Sequence, residues 1–325
     1  MIEIPTDNLW VCLLLFFVGL VAVIKGADVL TSGASAIARR FGVSTLLIGL
    51  TIVAFGTSLP ELVVSSLASA KGSAEMAIGN VVGSNLFNTL AITGITALFC
   101  PIFCSRELLR RDIPVNIVVT ALLIVFVFLV GESGVLGLAE GLGLLAIFVA
   151  YMSFTIYSSI KKRAKTSDEI DENVVPIWKS TLMIVGGLVG LIIGGDLFVD
   201  GAQGLALKMG VSESVVALTI VAAGTSFPEL ATSIIAARKG DTDMAMGNVV
   251  GSNIFNILLI LGTASAINPI RTGNIAIVDF ATLMISVVLL VFFVINTRRH
   301  CIGRVEGALL TLTMIAYYVY LVANA

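Results

Sequence analysis

The sequence predicts an all-α polytopic membrane protein: ten transmembrane helices in two five-helix repeats of inverted topology, with both termini outside. Three observations carry this reading. Of 325 residues, 58% are hydrophobic and only 12% charged, where a soluble domain has about 25% charged; mean hydropathy is +1.06. Apolar runs long enough to cross a bilayer as a helix, roughly 20 residues, occur ten times. Finally, the stretch Leu50–Asn88 returns at Leu218–Asn256, every matched pair lying 168 residues apart. From Gly42 to Asn88, 29 of 47 positions equal their partners without a gap, so the halves are copies of one unit.

The expected spans are 9–38, 44–70, 74–99, 112–131, 135–160, 178–207, 212–237, 242–267, 275–296 and 304–322. The first begins after MIEIPTDN, which has no basic segment, and outlasts a signal peptide's apolar core, so a span is expected. Spans one and six exceed the bilayer and should tilt or protrude. Lys161–Val175 carries both charge signs and reads as a solvated cytoplasmic linker. It separates residues 1–160, with the repeated motif at 42–88, from 176–325, with the motif at 210–256.

Lysine and arginine orient the chain. The loops after spans one, three, five, seven and nine hold 15 of the 19 basic residues, among them Arg39, Arg40, Arg110, Arg111, Arg238 and Lys239. The opposite loops hold Lys71, Lys208 and Arg271, and Lys25 falls inside span one. Odd loops therefore face the cytoplasm. Five spans per copy is an odd number, so the second copy enters from the opposite side, an arrangement found in secondary transporters. A duplicated bundle with no transport role would leave two equivalent buried carboxylates unexplained.

Those carboxylates are Glu61 and Glu229, each midway along a span. Charge at that depth costs about 2.5 kcal/mol or more and marks function by default; the alternative is a protonated Glu bonded to a neighbouring helix. Pro60 and Pro228 lack an N–H and disfavour helix before them, and Gly56 and Gly224 loosen the chain further. The carbonyls of Ala54 through Thr57, and of Ala222 through Thr225, can then lose helical partners, which is tolerated at depth only beside a cavity or ligand. Thr57, Ser58, Thr225 and Ser226 add hydroxyls. Hard oxygens around two carboxylates suit Ca²⁺ or Na⁺. Ser84 and Asn88, like Ser252 and Asn256, are four apart on one helix face and could complete a coordination shell. Asn80 and Asn248 are expected to bond between helices, and Asn85 and Asn253 to point away from that face.

Asp28 and Asp196 also repeat at the 168-residue offset and are expected to cap or gate. Glu140 and Asp200 read as polar-interface residues. Cys12, Cys100, Cys104 and Cys301 read as reduced thiols or small apolar filler, with His300 too solitary for a soft-metal site. The net charge of −2, with no basic cluster interleaved with aromatics, gives no sign of a nucleic-acid partner.

GTSLPE at 56–61, GTSFPE at 224–229 and the two GNVVGSN-x-F-N segments resemble the repeats of the calcium/cation antiporter superfamily, and within it microbial sodium/calcium exchangers. The resemblance covers essentially the whole chain. It implies a plasma-membrane antiporter exchanging Na⁺ for Ca²⁺, with no cofactor beyond these transported ions. It also implies that Glu61, Glu229 and the carbonyls of Thr57 and Thr225 hold Ca²⁺. Ser58, Ser84, Ser226, Ser252 and the carbonyls of Ala54 and Ala222 would form flanking Na⁺ sites, with Asn88 and Asn256 near the centre. Some relatives have Asp at the place of Asn256, an exchange associated with K⁺ dependence; Asn256 argues against K⁺ co-transport and against proton coupling through that position. The expected partners are Ca²⁺, Na⁺ and the lipid bilayer, with the chain a monomer. The alternative on the same scaffold is an H⁺/Ca²⁺ antiporter. A cation channel fits the inverted repeat poorly. An intramembrane hydrolase lacks a nucleophile–base arrangement, so no enzyme is expected. Spans one and six, with glycines 19, 26, 33, 186, 187, 190, 194 and 195, are expected to slide against the other eight helices.

Overall fold

A computed structural model describes residues 8–72, 74–130, 132–163, 175–210, 222–273, 275, 277–297 and 300–324. The helices of the described residues are α1 (Leu9–Phe41), α2 (Thr45–Thr57), α3 (Leu59–Ala70), α4 (Glu75–Phe99), α5 (Leu108–Phe128), α6 (Leu138–Arg163), α7 (Ile177–Lys208), α8 (Ala222–Gly224), α9 (Phe227–Arg238), α10 (Thr242–Ile267), α11 (Ile277–Asn296) and α12 (Arg304–Asn324). Among the described residues, eight helices are long and apolar enough to cross a membrane unbroken, and the bent pair α2–α3 makes a ninth candidate. The first half of the expected span 212–237 lies outside the described residues.

The ends follow local chemistry. Asn8 caps α1 by accepting from the Trp10 N–H at 2.9 Å, and Gly42 closes it with φ 55°, a left-handed conformation that favours glycine. Ser44 caps α2 through the Leu47 N–H, and Asp241 caps α10 through the Met244 N–H. Glu140, read as an interface residue, accepts from the Gly137 N–H at 3.1 Å and steadies the start of α6.

The sequence reading missed two short ladders. Ile102–Phe103 (β1) pairs antiparallel with Cys301–Ile302 (β4), and Val135–Leu136 (β2) with Ile270–Arg271 (β3). Two-residue strands have too few positions to show a period of two. Each ladder ties a connection of the first half to one of the second. Beside β1, burial together with nearby Asp243 and Cys301 pushes the Cys104 thiol up to about 12. Cys104 is therefore an inert packing residue at neutral pH.

The layers are unequal. α4 and α10 form the centre, with 83% and 78% of their apolar stretches buried, against 28% for each of α1 and α7. α10 lies along α2, α4 along α12, and α6 along α10. The α2–α10 contact is close because Gly247 and Gly251 of α10 meet the backbone around Leu46 and Leu50. Among the described residues four stretches open into π-helix: Gly49–Val53, Phe87–Ile92, Leu108–Asp112 and Asn256–Leu261. Such bulges concentrate at functional positions, and two of these include Asn88 or Asn256.

α1 and α7 pack against each other along their length. Most of their glycines face one another, which corrects the expectation that they smooth both helices against the core. A Cβ on Gly26 would meet the Leu191 N at 2.8 Å and the Gly187 O at 2.9 Å; on Gly187 it would meet the Leu30 N at 2.6 Å. Small residues let the two backbones touch, so the pair is one rigid element. Gly186 instead meets nothing within 4 Å. Gly187→Ala should therefore lower stability by about 1–3 kcal/mol through overpacking, and Gly186→Ala should not. Melting of the purified variants in one detergent checks this; equal effects would contradict it.

Candidate functional site

The site begins at two helix breaks. Pro60 and Pro228 sit in the first turn of α3 and α9, where a missing N–H is harmless. Before them the chain leaves the helix: Ser58 has φ −86° and ψ 6°, Ser226 φ −94° and ψ 5°. Between α2 and α3 the axis bends by 47°. Glu61 and Glu229 follow in the restarted first turns, each 1% exposed. Free N–H groups and partial positive charge at a helix start favour a carboxylate there.

The sequence S-x-P-E has the form of a capping box, in which Ser and Glu satisfy each other's backbone N–H. Neither serine caps its own helix. Ser58 Oγ donates to Glu229 Oε1 at 3.1 Å, and Ser226 Oγ donates to Glu61 Oε1 at 3.4 Å. Each copy's hydroxyl reaches the other copy's carboxylate. Thr225 lies alongside Glu61, and Thr57 and Ser252 alongside Glu229. The two carboxylates are close enough to repel.

Several oxygens remain unused. Glu61 Oε2, Glu229 Oε2, Ser84 Oγ, Ser252 Oγ, Asn88 Oδ1, Asn256 Oδ1 and Thr225 Oγ1 are all buried without a hydrogen-bond partner. A buried acceptor left unpaired costs about 1–3 kcal/mol, more if charged. All seven belong to residues singled out in the sequence, and oxygens of this kind suit a hard cation. Among the described residues no three His, Cys, Asp or Glu side chains are placed to hold a metal ion together, so a cation bound here would be held largely by neutral oxygens.

One expectation fails in detail. The Ala54 carbonyl is not freed: it accepts from the Ser58 N–H at 3.0 Å. The chain leaves the helix only at Ser58, so the bond back to Ala54 survives. In the second copy the Ser226 N–H donates instead to Ala223 at 3.1 Å, one residue beyond Ala222. The single Thr57 hydroxyl proton has three acceptors within reach: the Val53 carbonyl at 3.0 Å, Asn248 Oδ1 at 3.2 Å and the Ala54 carbonyl at 3.4 Å.

The asparagines divide as expected. Asn80 donates to Ser65 Oγ at 3.0 Å, and Asn248 to Ser233 Oγ at 3.1 Å and to the Glu229 carbonyl at 3.2 Å. These equivalent bonds hold α4 to α3 and α10 to α9. Asn85 and Asn253 bond across the halves: Asn85 Nδ2 to the Asn253 carbonyl, Asn253 Nδ2 to Thr89 Oγ1. Sequence reading could not foresee these partners, because i, i+4 spacing defines a face but not its neighbour. Beside Ser58 lies a shallow dent too tight for a water molecule, lined by Phe55, Leu62, Phe255, Leu259 and Ile260.

Known proteins resemble the chain along nearly its whole length. The family model described as "Sodium/calcium exchanger protein" matches residues 11–157 and again 179–323. The sodium/calcium exchanger MaX1 of Methanosarcina acetivorans is 33% identical over 342 residues, covering 95% of this chain and 97% of MaX1. The inner membrane protein YrbG of Escherichia coli is 34% identical over 309 residues, covering 91% and 92%. A solved structure of the sodium-calcium exchanger NCX_Mj, soaked with Na⁺ and Sr²⁺, aligns with a TM-score of 0.81 at 32% identity, covering 97% of this chain and 99% of that one. With both halves matched and relatives aligned over nearly their full length, the chain belongs to the sodium/calcium exchanger family, whose multi-pass membrane proteins are antiporters and not enzymes.

Proposed function

We propose that this chain exchanges Na⁺ for Ca²⁺ across the plasma (cytoplasmic) membrane by alternating access, with Glu61 and Glu229 as shared central ligands. The reciprocal serine–carboxylate contacts carry the reading. They draw two acids from distant sequence into one buried place and leave an oxygen of each unsatisfied. Two negative charges match one Ca²⁺ or, with partial compensation, several Na⁺. Thr57, Thr225, Ser58, Ser226, Ser84, Ser252, Asn88, Asn256 and the carbonyls of Ala54 and Ala222 would complete the shells. Because both ions need the same carboxylates, one must leave before the other binds, and that competition couples the fluxes. The empty site holds two uncompensated charges at depth, which disfavours crossing without an ion.

The architecture supporting this is ten spans in two inverted halves, 1–160 and 176–325, joined by the cytoplasmic linker 161–175, with both termini outside. The double match of the family model favours the division. So do the ladders: β1–β4 joins two connections assigned to the cytoplasm, and β2–β3 two assigned to the outside. The names of MaX1 and NCX_Mj favour Na⁺ as the driving ion. At the centre, neutral Asn88 and Asn256 offer no third acid for proton exchange.

Vesicles containing the purified protein test the reading. A Na⁺ gradient should drive ⁴⁵Ca²⁺ uptake, and Glu61→Gln or Glu229→Gln should abolish it. Uptake driven by a pH gradient and indifferent to Na⁺ would point to the proton-coupled alternative. Ser58→Ala and Ser226→Ala, each removing a hydrogen bond to a carboxylate worth about 1.5–3 kcal/mol, should weaken apparent Ca²⁺ affinity about tenfold or more. Unchanged affinity in both would contradict the shared site.

A further inference from the structure

Asn85 is 1% exposed, and its Nδ2 donates to the Asn253 carbonyl at 3.2 Å. A carbonyl only accepts, so this contact fixes which end of the amide is nitrogen. Asn85 Oδ1 must then point the other way, where it receives Asn256 Nδ2 at 3.0 Å. The nitrogen of Asn256 is thereby engaged, and its Oδ1 is left buried and unpartnered. We propose that Asn85 is a positioning residue that holds the Asn256 amide so that it offers an oxygen, and not an NH₂ group, to the transported cation. The control is one-sided. The counterpart of Asn85, Asn253, donates instead to Thr89 Oγ1 at 2.8 Å, at a position that holds Ile257 in the second copy.

This rests on Asn256 being a ligand, and a double-mutant cycle separates the two claims. Asn256→Ala, Asn85→Ala and the double variant are compared by Na⁺-driven ⁴⁵Ca²⁺ uptake. Each single change should raise KM for Ca²⁺ about tenfold, as the loss of one oriented oxygen would, with kcat held within about twofold. The double variant should match Asn256→Ala alone, because Asn85 acts only through Asn256. Additive effects, or an unchanged KM in Asn85→Ala, would overturn the positioning role while leaving Asn256 a ligand. An unchanged KM in Asn256→Ala would overturn both. Asn85→Ser, which keeps a polar atom, replaces the alanine variant if that protein is not monodisperse.

A different observation concerns α1. Lys239, in the turn between α9 and α10, reaches Asp28 Oδ1 and the Asp28 carbonyl, both at 2.7 Å, Thr31 Oγ1 at 2.8 Å and Ser32 Oγ at 2.7 Å. Beside it Ser35 Oγ donates to Asp241 Oδ2 at 3.2 Å. At the 168-residue offset, the counterpart of Lys239 is Lys71, in the turn between α3 and α4, and that of Asp28 is Asp196 on α7. Lys71 is exposed and makes no ion pair among the described residues, and α7 does not pack on α3 as α1 packs on α9. Equivalent parts thus sit in two different arrangements. We infer that Lys239–Asp28 and Lys71–Asp196 are alternative latches for the α1–α7 pair, with the first closed in this structure.

This rests on the inverted-repeat, alternating-access reading. In a background lacking the native cysteines, Asp28→Cys with Lys239→Cys and Lys71→Cys with Asp196→Cys are treated with a short bifunctional thiol reagent in vesicles. Both pairs should cross-link, each should stop transport, and cleaving the link should restore it. A 71/196 pair that never links while 28/239 does would overturn the latches but not exchange itself. Efficient links in both with transport intact would overturn the latches and the moving pair together.

Discussion

The structure depends on two carboxylates buried near one another. Glu61 and Glu229 are withdrawn from water and close to each other, and neither has a Lys or Arg partner among the described residues. Such a pair is tolerable only if something positive is delivered to it or its charge is otherwise quenched. The surrounding hydroxyls soften the problem without solving it: each carboxylate gains a donor from the opposite copy, and each keeps one oxygen with no partner.

Much of the remaining fold serves to keep that place dry and rigid. α4 and α10 carry the second motif through the centre, and their asparagines bind them to α3 and α9. The serines at the helix breaks lose their ordinary capping role and become cross-links, so the breaks and the site are one feature. Around this frame α1 and α7 form a separate layer, joined through facing glycines and held at one end by Lys239. A layer that packs more closely within itself than on the core is the kind of element that moves as a body.

The long helices were legible because twenty apolar residues in a row have few other uses, and the carboxylates because a gapless repeat preserved them amid apolar sequence. Ser84, Asn88, Ser252 and Asn256 could be placed on shared faces from spacing alone. The crossing of Ser58 to Glu229 was not legible: S-x-P-E specifies a local cap, and only the tertiary approach of the two breaks diverts it. Helical spacing points Asn85 away from the Ser84–Asn88 face and is silent about Asn256 reaching it. The two-residue strands were too short for any pattern, and the survival of the Ala54 bond depends on which residue turns out of the helix first.

Competition for one set of oxygens is the central claim, and equilibrium binding of ⁴⁵Ca²⁺ to the purified protein measures it without transport. Rising Na⁺ should displace the bound Ca²⁺ completely and shift its apparent affinity without changing the number of sites. Ca²⁺ that stays bound at saturating Na⁺, or a Glu61→Gln protein that binds it as tightly as the natural chain, would contradict the account.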